Sequence, residues 1–220
     1  LLCLAMIVMV AGVSSGNERP NILLVMADDL GFSDIGCYGG EIETPNLDRL
    51  AAGGIRFTQF YNTGRCWPTR ASLLTGFYPH QVGRDKVPGV RSGGGGKRPA
   101  WAPLLSVRLA AEGYRCYHSG KWHLDGMPLG NGFHSSYYLR DQDRFFNPLV
   151  SYRDDLKLPA VKREAGFYGT TAIADEMLEM LRKHHQQHTR SPFFAYLAFT
   201  APHFPLHAPA EDVERNRKRY

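Results

Sequence analysis

The sequence has few cysteines, no long uninterrupted apolar run and no stripe of basic residues, and each shortage removes a class of protein. Its cysteines, Cys3, Cys37, Cys66 and Cys116, are spaced for neither a zinc site nor a disulfide framework. Cys37 and Cys116 read most simply as core residues, with a bridge between them left open. The apolar run Leu1–Val13 is short of the roughly 20 residues a membrane-spanning helix needs. The net charge of +5 is modest and comes partly from Arg215, Arg217, Lys218 and Arg219. Without a basic stripe and interleaved aromatics there is no nucleic-acid footprint. Gly93–Gly96 lack the preceding strand and following Lys-Ser/Thr of a phosphate-binding loop. They read instead as part of a mobile surface loop over 83–99.

What is present describes one sizeable α/β domain: 220 residues, 43 % hydrophobic and 21 % charged. Leu1–Val13 leads into Ser14-Ser15-Gly16, a pattern of apolar core and small-residue cleavage zone. Residues 1–16 are therefore expected to be a secretory signal with a clipped start, since an initiator Met and a basic leader are lacking. A single membrane anchor is the alternative. The expectation is an exported protein, secreted or periplasmic, that meets the membrane only through this segment.

From residue 17 onward the pattern alternates. Asn21–Met26 is a continuous apolar run of the kind found in central parallel strands buried on both faces. Thr44–Gly53 reads as a short helix, and Ile55–Tyr61 as a β-rich run that delivers the chain to Cys66. Pro103–Glu112 is an amphipathic helix and Tyr114–Ser119 a short strand. The segment from Gly130 to Leu158, rich in aromatics, Asp and Arg, is expected to be substrate-facing loop. Gly166–His188 is a long helix with Ile173, Met177 and Leu181 on its core face, and His184, His185 and His188 at a solvated end. Phe193–Phe199 is another buried strand.

Chemistry-bearing residues follow the β-like runs. Asp28 and Asp29 end the first, and two adjacent carboxylates repel unless a cation lies between them. Their hard oxygens suit calcium or magnesium; for a bare Asp-Asp pair alone, a turn cap beside a solvated carboxylate is the commoner outcome. Cys66-Trp67-Pro68-Thr69-Arg70 follows the second run. Pro68 suits a first helical turn and Gly76 a left-handed stop, which puts Cys66 at a helix N-terminus with Arg70 one turn on, a place to handle an anion. Lys121 and His123 follow the third. Two apart on an extended segment, they point the same way and can grip an anion and move a proton. His203, in Thr200-Ala201-Pro202-His203-Phe204-Pro205, follows the fourth. Singly, each has a bland reading: a buried thiol, a surface lysine, a turn histidine. Together they lie at strand ends that share one edge of an α/β sheet, so they can converge.

Cys66-x-Pro68-x-Arg70 followed by Ala71-Ser72-Leu73-Leu74-Thr75-Gly76 resembles the signature of the type I, formylglycine-dependent sulfatases. Pro20-Asn21-Ile22-Leu23 with Asp28-Asp29, Thr44-Pro45-Asn46-Leu47, Gly120-Lys121-Trp122-His123-Leu124 and Pro202-His203-Phe204-Pro205 are also similar to that family. The resemblance, over roughly Arg19 to Pro205, implies an alkaline-phosphatase-like α/β fold: a mixed, mostly parallel sheet with helices on both faces. It implies that residues 17–220 are the N-terminal part of an arylsulfatase-like catalytic domain. Nothing past His203 supplies the family's further Asp-Asn ligand pair and second Lys, so the domain is expected to be incomplete at its C-terminus and the piece inactive alone.

The same resemblance implies roles. Cys66 would be converted to formylglycine by a formylglycine-generating or sulfatase-maturating enzyme. Arg70 would hold the modified side chain, and His123 would hydrogen-bond it. Lys121 and His203 would contact the sulfate, His203 on the leaving-group side. Asp28, Asp29 and the modified position 66 would ligate a divalent metal, calcium before magnesium. The implied reaction is hydrolysis of an aryl or carbohydrate sulfate monoester. A phosphate or phosphonate monoester hydrolase of the same superfamily, and a non-catalytic secreted binding protein, stay as alternatives.

Overall fold

A computed structural model of the chain describes residues 19–218 apart from 88 and 92; the expected signal segment, 1–16, lies outside the described residues. Six strands form one sheet: β1 (Ile22–Asp28), β2 (Arg115–Gly120), β3 (Ser135–Leu139), β4 (Ser151–Arg153), β5 (Leu156–Lys157) and β6 (Phe193–Pro202). Their spatial order is β1-β6-β2-β3-β4-β5. The first four run parallel, and β4 and β5 add an antiparallel edge. The helices are α1 (Pro45–Ala52), α2 (Cys66–Thr75), α3 (Leu105–Ala111), α4 (Gly169–Gln187) and α5 (Ala210–Arg217).

Both faces of the sheet are covered. On one, Leu74 of α2 and Leu109 of α3 pack with Cys116, Trp122, Phe133, Phe194 and Tyr196. On the other, Ile173, Met177 and Met180 of α4 pack on Tyr117, Tyr137, Leu139 and Ala195. The spacing of Ile173 and Met177 thus places the long helix as its sequence indicates. Burying these side chains fully is worth about 1.5–3 kcal/mol each.

Three expectations are corrected. Among the described residues β1 is an edge strand rather than a central one, and Leu23 and Val25 are 54 % and 52 % exposed there. Ile22, Leu24 and Met26 face the α2/α3 core, while among the described residues α4 lies over β6, β2 and β3. The run Ile55–Tyr61 forms no strand, and Ile55, Phe57, Phe60 and Tyr61 are exposed; apolar and β-prone composition does not make a strand without a partner to complete its ladder. The 130–158 segment is not simply loop but carries β3, β4 and β5.

The cysteines stay separate. Cys37, Cys66 and Cys116 are free. Cys116 is buried, its thiol donating to the Ser106 carbonyl at 3.4 Å, and burial pushes that thiol up to about 11.

Candidate active site

The carboxyl ends of β1, β2 and β6 meet at one edge, where Asp28 is register-paired with Pro202 and Gly120 with Ala198. At Gly120 the backbone turns through φ +113°, and a Cβ there would lie 1.9 Å from the Ala198 carbonyl oxygen. Only glycine permits that approach. It lets the Lys121 N–H donate to the same carbonyl at 2.8 Å and turns the Lys121 side chain inward.

The centre of the edge is a buried charge cluster. Lys121 is ion-paired with Asp28, and Arg70 Nη2 lies 3.6 Å from the same Asp28 oxygen. Arg70 is fully buried. Its Nη1 donates to the Lys121 carbonyl at 3.0 Å and to the Tyr196 hydroxyl at 3.1 Å, and Tyr196 in turn donates to Met26 Sδ at 3.3 Å. Helix α2 is thereby joined to three strands through one side chain. Two cations share one carboxylate, which leaves an excess positive charge in a dry place. A buried charge without a full counter-charge is costly, and a bound anion would relieve it. Arg70 Nε and Nη2 have no hydrogen-bond partner among the described residues.

His123 lies beside the cluster, though not for the reason its spacing suggests. The strand has ended at Gly120, and His123 sits in the left-handed region at φ +54°. The two side chains therefore do not share a pleat; a turn brings them together. Its ring packs edge-on against Trp67 of α2, centroids 5.4 Å apart. Burial first, then the Lys121 and Arg70 charges, push the imidazole down to about 4, against the pull of Asp28. At neutral pH it is an uncharged base, and its buried Nδ1 has no hydrogen-bond partner.

Cys66 is the first residue of α2, and Gly76 ends that helix at φ +76°. Cys66 is partly buried and has no hydrogen-bond or charged partner among the described residues. Asp29 turns out of the strand at φ +67°, and its side chain is 61 % exposed with His203 Nε2 3.7 Å away. The structure thus brings together Asp28, Arg70, Lys121 and His123, sets Asp29 and His203 as a second pair, and leaves Cys66 at the head of the helix between them in sequence. As donors, the two carboxylates fit a hard divalent cation; as a shell they are incomplete. Such an ion takes about six to eight oxygens, and the described residues hold no group of three or more metal-ligating side chains.

Two contributors were missed in the sequence. Tyr196 reads as one more apolar residue of a buried strand, yet its hydroxyl receives Arg70. Arg84 lies in the glycine-rich loop expected to be mobile. It is buried, donating to the Gly96 carbonyl at 2.8 Å and the His123 carbonyl at 3.4 Å. Lys86 N–H to Gly94 and Gly94 N–H to Asp85 further tie that loop down. An arginine just after Gly83 was the available signal.

A family model described as Sulfatase matches residues 20–220. The chain belongs to the sulfatase family. It is 35 % identical to an uncharacterized sulfatase of Schizosaccharomyces pombe over 93 % of this chain and 41 % of that one. It is 34 % identical to the arylsulfatase of Klebsiella aerogenes over 92 % of this chain and 47 % of that one. The structure of Ps i-CgsB in complex with k-i-k-neocarrahexaose superposes with a TM-score of 0.74 at 29 % identity, covering 90 % of this chain and 48 % of that one. A protein in complex with its substrate D-glucosamine-2-N,6-O-disulfate also gives a TM-score of 0.74, at 28 % identity over 91 % and 38 % of the two chains. The chain thus spans less than half the length of these relatives, and its fold is the alkaline-phosphatase-like α/β fold of the family.

Proposed function

We propose that the protein to which this chain belongs hydrolyses sulfate monoesters, with Cys66 as the precursor of its nucleophile. The observation that carries the reading is the Asp28–Lys121–Arg70 cluster, in which two buried cations share one carboxylate at the edge where Cys66 begins a helix. An anionic group suits that excess charge. The relatives named above, among them an arylsulfatase and a protein whose substrate is a sulfated sugar, support sulfate as the anion and leave aryl and carbohydrate esters both in play.

Each residue has a task in this reading. Arg70 and Lys121 offset negative charge on the sulfate as it builds toward the transition state. His123, held neutral by its surroundings, accepts a proton at Nδ1 from the hydroxyl at position 66. His203, beside Asp29, delivers a proton to the departing alcohol oxygen. Once oxidised to an aldehyde by a maturating enzyme and hydrated, position 66 would supply both an attacking hydroxyl and a second one through which sulfate is expelled. Asp28 and Asp29 would hold part of the shell of a divalent cation, calcium before magnesium, which would add positive charge opposite the sulfate. Among the described residues no helix is long and apolar enough to cross a membrane, and the apolar Leu1–Val13 run supports export.

The test is the mass of the tryptic peptide Cys66–Arg70 from full-length protein made in its native host, paired with release of 4-nitrophenol from its sulfate and phosphate esters. An aldehyde at position 66 with preference for the sulfate ester is the expected result. An unmodified thiol with no turnover would overturn the reading in favour of a binding protein, and preference for the phosphate ester would overturn it in favour of a phosphohydrolase.

A further inference from the structure

Beyond the end of β6 lies a cavity of about 570 Å³, lined by residues of the 143–147 segment, Arg163, and residues 206–208 and 213. Arg144 and Arg163 are among its lining residues, and neither has a hydrogen-bond or ion-pair partner for its side chain among the described residues. One carboxylate, Asp143, shares the lining, so cations exceed anions there. Aromatic rings complete it. Phe146 stacks on Tyr168 with centroids 5.2 Å apart, and the His207 ring lies 6.3 Å from Phe146 and 6.1 Å from Phe145. The wall is anchored, since the Phe145 carbonyl accepts the Gly169 N–H at the start of α4 at 2.7 Å.

Exposed arginines are common on loops, and one alone would mean nothing. Here two from separate segments line one concavity that Phe146 and His207 also line. Planar guanidinium forks match sulfate and carboxylate oxygens, and ring faces take up the apolar face of a sugar. The cavity is also near the candidate active site. His207 is four residues past His203, so the two are no more than about 14 Å apart along the chain.

We propose that this cavity is a second subsite, taking an additional anionic group of a carbohydrate substrate that carries at least two sulfates. Arg144 and Arg163 hold the second sulfate, and Phe146 and His207 pack against the sugar that bears it. The reaction at the first sulfate rests on the function proposed above; binding at the second does not.

The test uses full-length protein and the double variant Arg144→Gln/Arg163→Gln. A disulfated disaccharide, the same disaccharide without sulfate, and inorganic sulfate are each titrated calorimetrically, and KM is measured for the disulfated disaccharide and for 4-nitrophenyl sulfate. The double variant is expected to raise Kd for the disulfated disaccharide at least about tenfold and to raise its KM relative to that of the aryl ester by a similar factor. Arg163→Lys should restore part of the loss and exclude a folding defect. Equal affinity in wild type and variant would overturn the proposal, as would absence of binding to wild type or an equal loss for inorganic sulfate. If wild type binds the disulfated sugar but turns over neither ester, the catalytic reading alone falls and the subsite stands on the titration.

Discussion

The two ends of β2 both carry histidines, and they are treated oppositely. At the amino end His134 Nδ1 accepts the Cys116 N–H at 3.0 Å, and His184 Nδ1 is 3.0 Å from the Tyr117 hydroxyl. At the carboxyl end His123 Nδ1 and Arg70 Nε are buried without a hydrogen-bond partner, and Arg70 Nη2 has only its 3.6 Å ion pair with Asp28. A buried polar atom that finds no partner costs about 1–3 kcal/mol; Arg115 Nε at the start of β2 and His118 Nε2 within the sheet are also without a hydrogen-bond partner among the described residues. The bonded histidines pin the amino end of the sheet, while at the carboxyl edge the unpartnered His123 and Arg70 nitrogens lie beside the Asp28–Lys121 pair. The histidines at the end of α4 show the point, since a solvated cluster was expected there and His184 is instead buried and bonded.

The largest test of this contrast is Cys66→Ala in full-length protein. It should lower sulfate release by about a thousandfold or more, because the precursor of the proposed nucleophile is removed, while the melting temperature stays within about 2 °C, because Cys66 has no polar partner to lose. A large fall in melting temperature would show that the helix start is structural.

Arg70 joins the two categories. Arg70→Met should lower stability by about 3–5 kcal/mol in urea unfolding, because it strips a partner from buried Asp28 and leaves the Lys121 carbonyl and Tyr196 hydroxyl short of a donor. A loss below about 1 kcal/mol would mean that Lys121 alone satisfies Asp28.

His118 supplies a pH test inside the sheet. It is fully buried with Nδ1 3.0 Å from Ser136 Oγ, and burial pushes it down to about 3. The folded chain therefore binds fewer protons than the unfolded chain, whose histidine titrates near 6.5. Its contribution is intact above about pH 6.5 and is lost as pH falls toward 3, at up to about 1.4 kcal/mol per pH unit. Between pH 6.5 and 4.5 wild type should lose about 2–3 kcal/mol more than His118→Asn, read from urea midpoints at each pH. Parallel curves would place His118 in contact with water.

How much of this was legible in the sequence follows from range. The α4 face, the α2 stop at Gly76 and the strand ends carrying Asp28, Lys121 and His203 depend on local period and local turn chemistry, and they stand where the sequence puts them. The exposed half of β1 and the missing strand at 55–61 depend on which strands lie alongside, information a single apolar run does not carry. The Tyr196–Arg70 bond spans 126 residues and the Arg84–His123 bond 39; no spacing rule reaches so far. His123 reaches the Lys121–Arg70 neighbourhood through a left-handed turn rather than a pleat, so its neighbourhood was legible and its geometry was not.

The smallest expected effect lies at the quiet end of β2. Tyr117→Phe removes the hydroxyl that meets His184 and leaves its ring in the core with Ile173 and Met177. One buried hydrogen bond is worth about 1 kcal/mol, and the unmatched His184 nitrogen can turn toward the cavity it lines with Arg115 and His134. Stability should fall by about 1 kcal/mol, and turnover of 4-nitrophenyl sulfate by full-length protein should not change. Turnover is the decisive readout: a drop beyond about twofold would mean that the amino end of the sheet is coupled to the carboxyl edge, and the contrast between the two ends of β2 would no longer separate structure from function.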